Sequence, residues 1–215
     1  MIIISSRLPP ISQLRKASEP LHIQWNPATD EVEVVNYSAG THKGLTAKVQ
    51  ILNMDASVAW EKEATVDSNE DTTNKCIKLA FPANLSKVHF IKMVLTENGK
   101  VVSDNFYHRS LEENNYQDLR QLAKVALQST TTVDKNADGT WSAVSVIENK
   151  TSTPALMIRL NVVGSKDGQQ LLPVFYSDNY FSLLPGEKKE VRMSWKDEDT
   201  RGNEGKVLIT GYNVE

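Results

Sequence analysis

The sequence predicts an all-β chain folded as two tandem antiparallel β-sandwiches. Three observations predict it. Apolar and polar residues alternate with period two through about seven short segments on either side of one polar break. Clusters of Asn, Asp, Gly and Pro separate those segments, as turns require. No segment carries a helical apolar stripe, and no strand feeds glycines into a helix, so the nucleotide-binding patterns are missing.

The elements follow in order. Residues 1–17 fit none. The apolar run Met1-Ile2-Ile3-Ile4 is shorter than the roughly 7–15 residues of a signal's apolar core. Leu8-Pro9-Pro10-Ile11 forbids a continuous helix. Alternation begins at Leu21-His22-Ile23-Gln24-Trp25, and Asn26 to Asp30 reads as a turn. Strands are expected at 31–37, 45–51, 58–66, 74–81, 88–95 and 101–108. The pair Asn98-Gly99 is a strong hairpin signal, because both positions tolerate positive φ. Residues 18–109 therefore form the first sandwich. Residues 110–124 lose the alternation and read as a linker with room for one helical turn. Residues 125–215 form the second sandwich. Its strands are expected at 125–133, 141–148, 155–163, 171–176, 180–184, 189–195 and 206–212. The stretch 155–163 is apolar on both faces in part, which suits a central strand.

Composition narrows the function classes. The 215 residues carry 24 Lys+Arg against 27 Asp+Glu, a net charge of -3. That balance argues against a dedicated nucleic-acid binder. No apolar run approaches the roughly 20 residues of a membrane span, so no membrane partner is expected. Cys76 is the single cysteine, which leaves no intrachain disulfide and no Cys-rich metal site. Alternation places it on the face opposite Ile77, Leu79 and Phe81, where a structural role is the simple reading.

Each candidate site has a plainer structural reading. Asp134-Lys135-Asn136-Ala137-Asp138-Gly139 opens like a calcium loop, yet its twelfth position, which needs a bidentate Glu, is Ser145. A hairpin turn explains the same string. His22, His42, His89 and His108 form no metal-ligand pair, so no metal and no cofactor are expected. Ser129 to Thr132 lacks the glycine elbow of a serine hydrolase. The carboxylate pairs Asp30/Glu31, Glu112/Glu113 and Asp197/Glu198/Asp199 lie in turns or the linker, where solvation explains them. Trp25, Trp60, Trp141 and Trp195 sit in or beside strands, with core or interface as the default. The string Phe175-Tyr176-Ser177-Asp178-Asn179-Tyr180-Phe181 is the most distinctive. Its rings can stack on sugars and its Asp and Asn can bind hydroxyls. The plainer reading buries Phe175 and Phe181 and makes Asp178-Asn179 a turn.

That string also carries a resemblance. Tyr176-Ser177-Asp178-Asn179-Tyr180-Phe181-Ser182-Leu183-Leu184-Pro185-Gly186-Glu187, with Pro154-Ala155-Leu156-Met157-Ile158-Arg159-Leu160 before it, resembles the last immunoglobulin-like domain of glycoside hydrolase family 2. The nearest group is the exo-β-glucosaminidase and β-mannosidase-like enzymes. Ser18-Glu19-Pro20-Leu21-His22-Ile23-Gln24 resembles the start of the preceding domain, just after the catalytic barrel. The likeness runs from about Lys16 to Glu215.

The resemblance implies immunoglobulin-like sandwiches that serve as accessory domains. The family's acid/base and nucleophile are glutamates on a (β/α)₈ barrel. Such a barrel needs roughly 250 residues, and both sandwiches already fill this chain. No catalytic residue carries over, so the chain alone is expected not to hydrolyse a glycoside. Its expected partner is the barrel of a family 2 glycosidase, with a glycan as a second partner. Tyr176, Asp178, Asn179 and Tyr180 are the candidates for a loop at the rim of the substrate pocket. The parent is expected to be an exported bacterial enzyme. The alternatives are a stand-alone carbohydrate-binding module and a surface adhesion module. The first requires an exposed aromatic platform, and the second requires a free edge strand or a large apolar patch.

The first residues acquire an explanation under this resemblance. Codons for Met1 to Lys16, read from the last base of the Met codon, permit Asp-Tyr-Tyr-Leu-Lys-Pro-Thr-Ala-Ala-Tyr-Phe, much as family members show before this domain. Residues 1–15 are therefore expected to be an out-of-frame start, on the broken end of a longer gene. Upstream DNA without barrel-coding sequence would refute this.

Overall fold

A computed structural model describes residues 18–215. The irregular segment 1–17, with its expected frame shift, lies outside the described residues. The chain divides into two compact units, Met1–Gln121 and Leu122–Glu215.

Unit 1 holds β1 (Leu21–Asn26), β2 (Glu31–Asn36), β3 (His42–Asn53), β4 (Val58–Ser68), β5 (Thr72–Lys78), β6 (Val88–Glu97) and β7 (Lys100–Ser110). They form a three-stranded sheet β1-β2-β5 and a four-stranded sheet β4-β3-β6-β7. All pairings are antiparallel. Alternate residues of both sheets meet in one core. Ile23, Val32, Val34 and Ile77 come from the first sheet, and Leu45, Val49, Ile51, Ile91, Met93 and Leu95 from the second. Each such side chain contributes about 1.5–3 kcal/mol on burial. The Asn98-Gly99 hairpin is present, with φ of 50° and 75°. This is the doubly left-handed turn whose twist matches its strands.

Cys76 departs from simple alternation. Val32 pairs with Ile77 and Glu33 with Lys75, so Cys76 is the extra residue of a β-bulge. The bulge turns it onto the core beside Ile77, and its thiol donates to Val32 O at 3.3 Å. Burial pushes the thiol up to about 11. A short 3-10 helix, Gln117–Gln121, occupies part of the polar break.

Unit 2 holds β8 (Gln128–Lys135), β9 (Thr140–Glu148), β10 (Ala155–Gly164), β11 (Phe175–Tyr176), β12 (Phe181–Leu183), β13 (Lys188–Lys196) and β14 (Gly205–Thr210). A four-stranded sheet, β11-β13-β9-β8, faces a three-stranded one, β12-β10-β14. The core between them includes Ile147, Ile158, Leu160, Val162, Phe181, Val191 and Trp195. β10 is central in its sheet, as its apolar character predicts.

Three features differ from the period-two reading. Regular pairing starts at Gln128, while Val125 makes one parallel bridge to Val214. β8 is exposed along its whole length, because the facing sheet has one strand fewer to cover it. The strands expected at 171–176 and 180–184 shrink to the short β11 and β12.

Candidate functional site

The segment between β10 and β13 is held by side chains where strands were expected. Asn179 supplies the main pin. Its Oδ1 accepts from Leu160 N at 2.9 Å and its Nδ2 donates to Leu160 O at 3.0 Å. One amide side chain thus imitates a neighbouring strand. The Tyr176 hydroxyl accepts from Val162 N at 3.3 Å, and burial raises that phenol above its ordinary range. Backbone groups of β10 that a longer β12 would have bonded are taken by these two side chains, which shortens the strand.

The four rim candidates therefore share one loop but differ in freedom. Asn179 and Tyr176 are engaged internally. The Asp178 carboxylate pairs with Lys189 on β13 and is largely covered. The Tyr180 ring lies under Arg159, whose guanidinium carbon is 5.9 Å from the ring centroid. Tyr180 adopts φ of 61°, and Met157, across the same edge, φ of 51°. The β10–β12 register shifts between Ala155 and Ile158, which places Met157 in the irregularity. Two non-glycine residues in the left-handed region on one edge mark a place where backbone conformation has been constrained by its surroundings.

Phe181 is in the core, but Phe175 is 68% exposed, against the plainer sequence reading. Register explains this. Phe175 pairs with Ser194 and Tyr176 with Met193. Met193 points into the core, so its neighbour Ser194, and Phe175 with it, point out.

The remaining chemistry resolves into structure. Lys75 holds Glu31 below the usual carboxylate range, Lys87 does the same for Glu112, and Lys135 for Asp197. A glycosidase acid needs the opposite shift. The calcium-like string is the β8–β9 hairpin. Asp138 Oδ1 accepts from Thr140 N at 3.0 Å and from Thr140 Oγ1 at 2.6 Å. The Ser145 hydroxyl lies in β9, 2.8 Å from that of Thr131. Among the described residues, no group of three His, Cys, Asp or Glu is placed to hold a metal ion.

One constellation escaped the sequence reading. Ser38 Oγ lies 2.8 Å from His42 Nε2, and His42 Nδ1 lies 2.8 Å from Glu97 Oε1. The order matches a nucleophile, a base and an orienting carboxylate. The Ser38 hydroxyl, however, donates to Asn36 Oδ1 at 2.5 Å. Asn36 also accepts from Ser38 N and donates to Gly40 O and Ser68 O, closing the β2–β3 corner. Unit 2 repeats this device after β9 without a histidine. Asn149 accepts from Thr151 N and Thr151 Oγ1 and donates to Thr153 O and Leu183 O. The repetition identifies Ser38 as part of a corner lock.

Residues 105–214 match the family model described as the exo-β-D-glucosaminidase Ig-fold domain. The chain belongs to this family. The exo-β-D-glucosaminidase of Streptomyces avermitilis is 31% identical over 93% of the chain, but the match spans only 25% of that protein. The crystal structure of the Amycolatopsis orientalis exo-chitosanase CsxA superposes with a TM-score of 0.87 at 28% identity, over 94% of this chain and 26% of that one. A β-D-mannosidase from Dictyoglomus thermophilum gives a TM-score of 0.65 at 14% identity, which shows the shared fold. The chain thus spans about a quarter of the length of the curated relatives it matches. The expected resemblance to exo-β-glucosaminidase immunoglobulin-like domains is borne out.

Proposed function

We propose that this chain acts as a non-catalytic accessory unit of a family 2 β-glycosidase, packing on and supporting a catalytic barrel that lies outside it. One observation carries the proposal. Nearly the whole chain aligns with about a quarter of the exo-β-D-glucosaminidases, and the described residues are fully occupied by two sandwiches. The lowered carboxylates fit the same reading, since none has the protonation needed of an acid at neutral pH.

The loop from Tyr176 to Tyr180 is the segment we assign to the rim of the parent's substrate pocket. Asn179 and Tyr176 hold its shape from within. Tyr180, with Arg159 over its ring, is then the residue offered to the rim, and Asp178 is held in its ion pair with Lys189. A rigid loop suits that task, because positioning a sugar depends on groups that do not move.

The test mixes the purified chain with a barrel-containing fragment of a close relative. Aryl β-glucosaminides and aryl β-mannosides are the substrates. Activity should appear in the mixture and be missing from the chain alone. Hydrolysis by the chain alone overturns the non-catalytic reading. Sugar binding by the isolated chain, with no effect on the barrel fragment, would favour the carbohydrate-binding alternative.

A further inference from the structure

The two outer faces of unit 2 differ in how their polar atoms are satisfied. On the β11-β13-β9-β8 sheet, residues that point away from the core mix charged and hydroxylated side chains with the exposed apolar Val146 and Phe175. Glu190 pairs with Arg192 at 2.7 Å, and β8 adds a row of exposed threonines.

The outer face of β12-β10-β14 differs. Ile158, Leu160 and Val162 point into the core, so Arg159 and Asn161 point out. Their partners on β14, Thr210 and Leu208, share that face. Leu208 is 38% exposed and Met157 48% exposed. Among the described residues, no carboxylate pairs with Arg159, which rests on the Tyr180 ring. The Tyr180 hydroxyl and Asn161 Oδ1 are shut off from solvent without a hydrogen-bond partner. Unsatisfied polar atoms are rare on a surface built only for water.

We propose that this face is where the catalytic domain of the parent enzyme seats, with Arg159 reaching a carboxylate on that domain. The inference rests on the accessory-unit reading above. The occupant follows from length. About three quarters of each relative lies outside the region this chain matches, so a large partner belonging to the same enzyme is available. The chemistry fits as well. A guanidinium beside an aromatic ring, amid exposed apolar side chains, is a common anchor at interfaces. The two orphaned polar atoms on this face are available for new hydrogen bonds to the same partner. The rim loop borders the same face through Tyr180, so seating the domain would set the loop.

A chimera tests this. The final quarter of the Streptomyces avermitilis enzyme is replaced by this chain, and glucosaminide hydrolysis is measured with hydrogen exchange. In the active chimera, amides of Met157–Asn161 and β14 should exchange at least tenfold more slowly than in the chain alone. Arg159→Glu and Leu208→Lys should each lower activity at least tenfold, while the isolated variant chains keep the Tm of the parent chain. Thr132→Lys, on the opposite face, should leave activity within twofold. An active chimera whose protection falls on β8 and β9, or one indifferent to Arg159→Glu and Leu208→Lys, overturns the face assignment and leaves the accessory reading intact. An inactive chimera with neither face protected overturns the accessory reading itself.

Discussion

The two sandwiches solve one problem with different materials. Unit 1 closes its sandwich with long paired strands, and β3 alone runs twelve residues. Unit 2 has two strands of only two and three residues. It fills the deficit with asparagines. Asn213 is the fullest case. Its Oδ1 accepts from Leu156 N at 3.0 Å, and its Nδ2 donates to Ala123 O and Pro154 O. Asn179 does the same for Leu160. The corner asparagines Asn36 and Asn149 are common to both units. Ladder bonds are many and individually replaceable. A buried amide that serves three backbone groups is a single point of failure.

The largest effect should therefore come from Asn213→Ala. It leaves buried backbone groups without partners, at about 4 kcal/mol in total if each contributes 1–3 kcal/mol. Urea unfolding should show unit 2 destabilised and unit 1 unmoved. An equal loss in both units would break the comparison.

The next effect belongs to unit 1, which holds all four histidines. His108 packs against Phe90 and Phe106, and burial holds it at about 4, well below the usual histidine value near 6.5. The unfolded chain therefore takes up the proton first as pH falls. Stability supplied by neutral His108 is complete above about pH 6.5 and is lost as pH falls toward 4, by up to about 3 kcal/mol. Thermal unfolding should show unit 1 sensitive across that window. His108→Phe should flatten its slope, and a persisting slope would put the sensitivity elsewhere.

A smaller loss is expected from Gly205→Ala. A Cβ there would lie 2.5 Å from the Trp195 ring, which is itself buried in the core of unit 2. Displacing that ring costs about 2 kcal/mol, typical of overpacking. No change in Tm would mean unit 2 packs loosely at that end, sharpening its dependence on side-chain bonds.

The smallest signal sharpens the assignment. Cys76, the sole thiol, sits in unit 1 with its pKa pushed up to about 11. Iodoacetamide at pH 8 should label it only when unit 1 opens, because roughly one thiol in a thousand is ionised there. Labelling that tracks Asn213→Ala would show that the two units open together.

Legibility in the sequence follows the same division. Unit 1 is readable because most of its strands are long and largely alternating. Even the Asn98-Gly99 turn stood where its dipeptide placed it. Alternation puts Cys76 on the wrong face because one inserted residue inverts a period-two pattern, and nothing in Lys75-Cys76-Ile77 announces a bulge. Between β10 and β13, alternation continued through residues that do not pair. Asn179 looks like any turn former, and only its contact with Leu160, nineteen positions away, reveals what it does. The loop at Tyr176–Tyr180 was singled out by its aromatics and by resemblance. The face around Arg159 was not, because it depends on which side of β10 each residue takes.

The repeated corner has a consequence for how this protein can be made. Asn36-Tyr37-Ser38 and Asn149-Lys150-Thr151 are both acceptor triplets for N-linked glycans. In each, the asparagine amide and the hydroxyl two residues later are the atoms that close the corner, and both asparagines are fully buried in the fold. A eukaryotic secretory host that glycosylates nascent chains would attach a sugar to the nitrogen that must bond Gly40 O or Thr153 O. The choice of expression host thus becomes a folding variable, and a cell without that transferase is the one that can deliver both sandwiches closed.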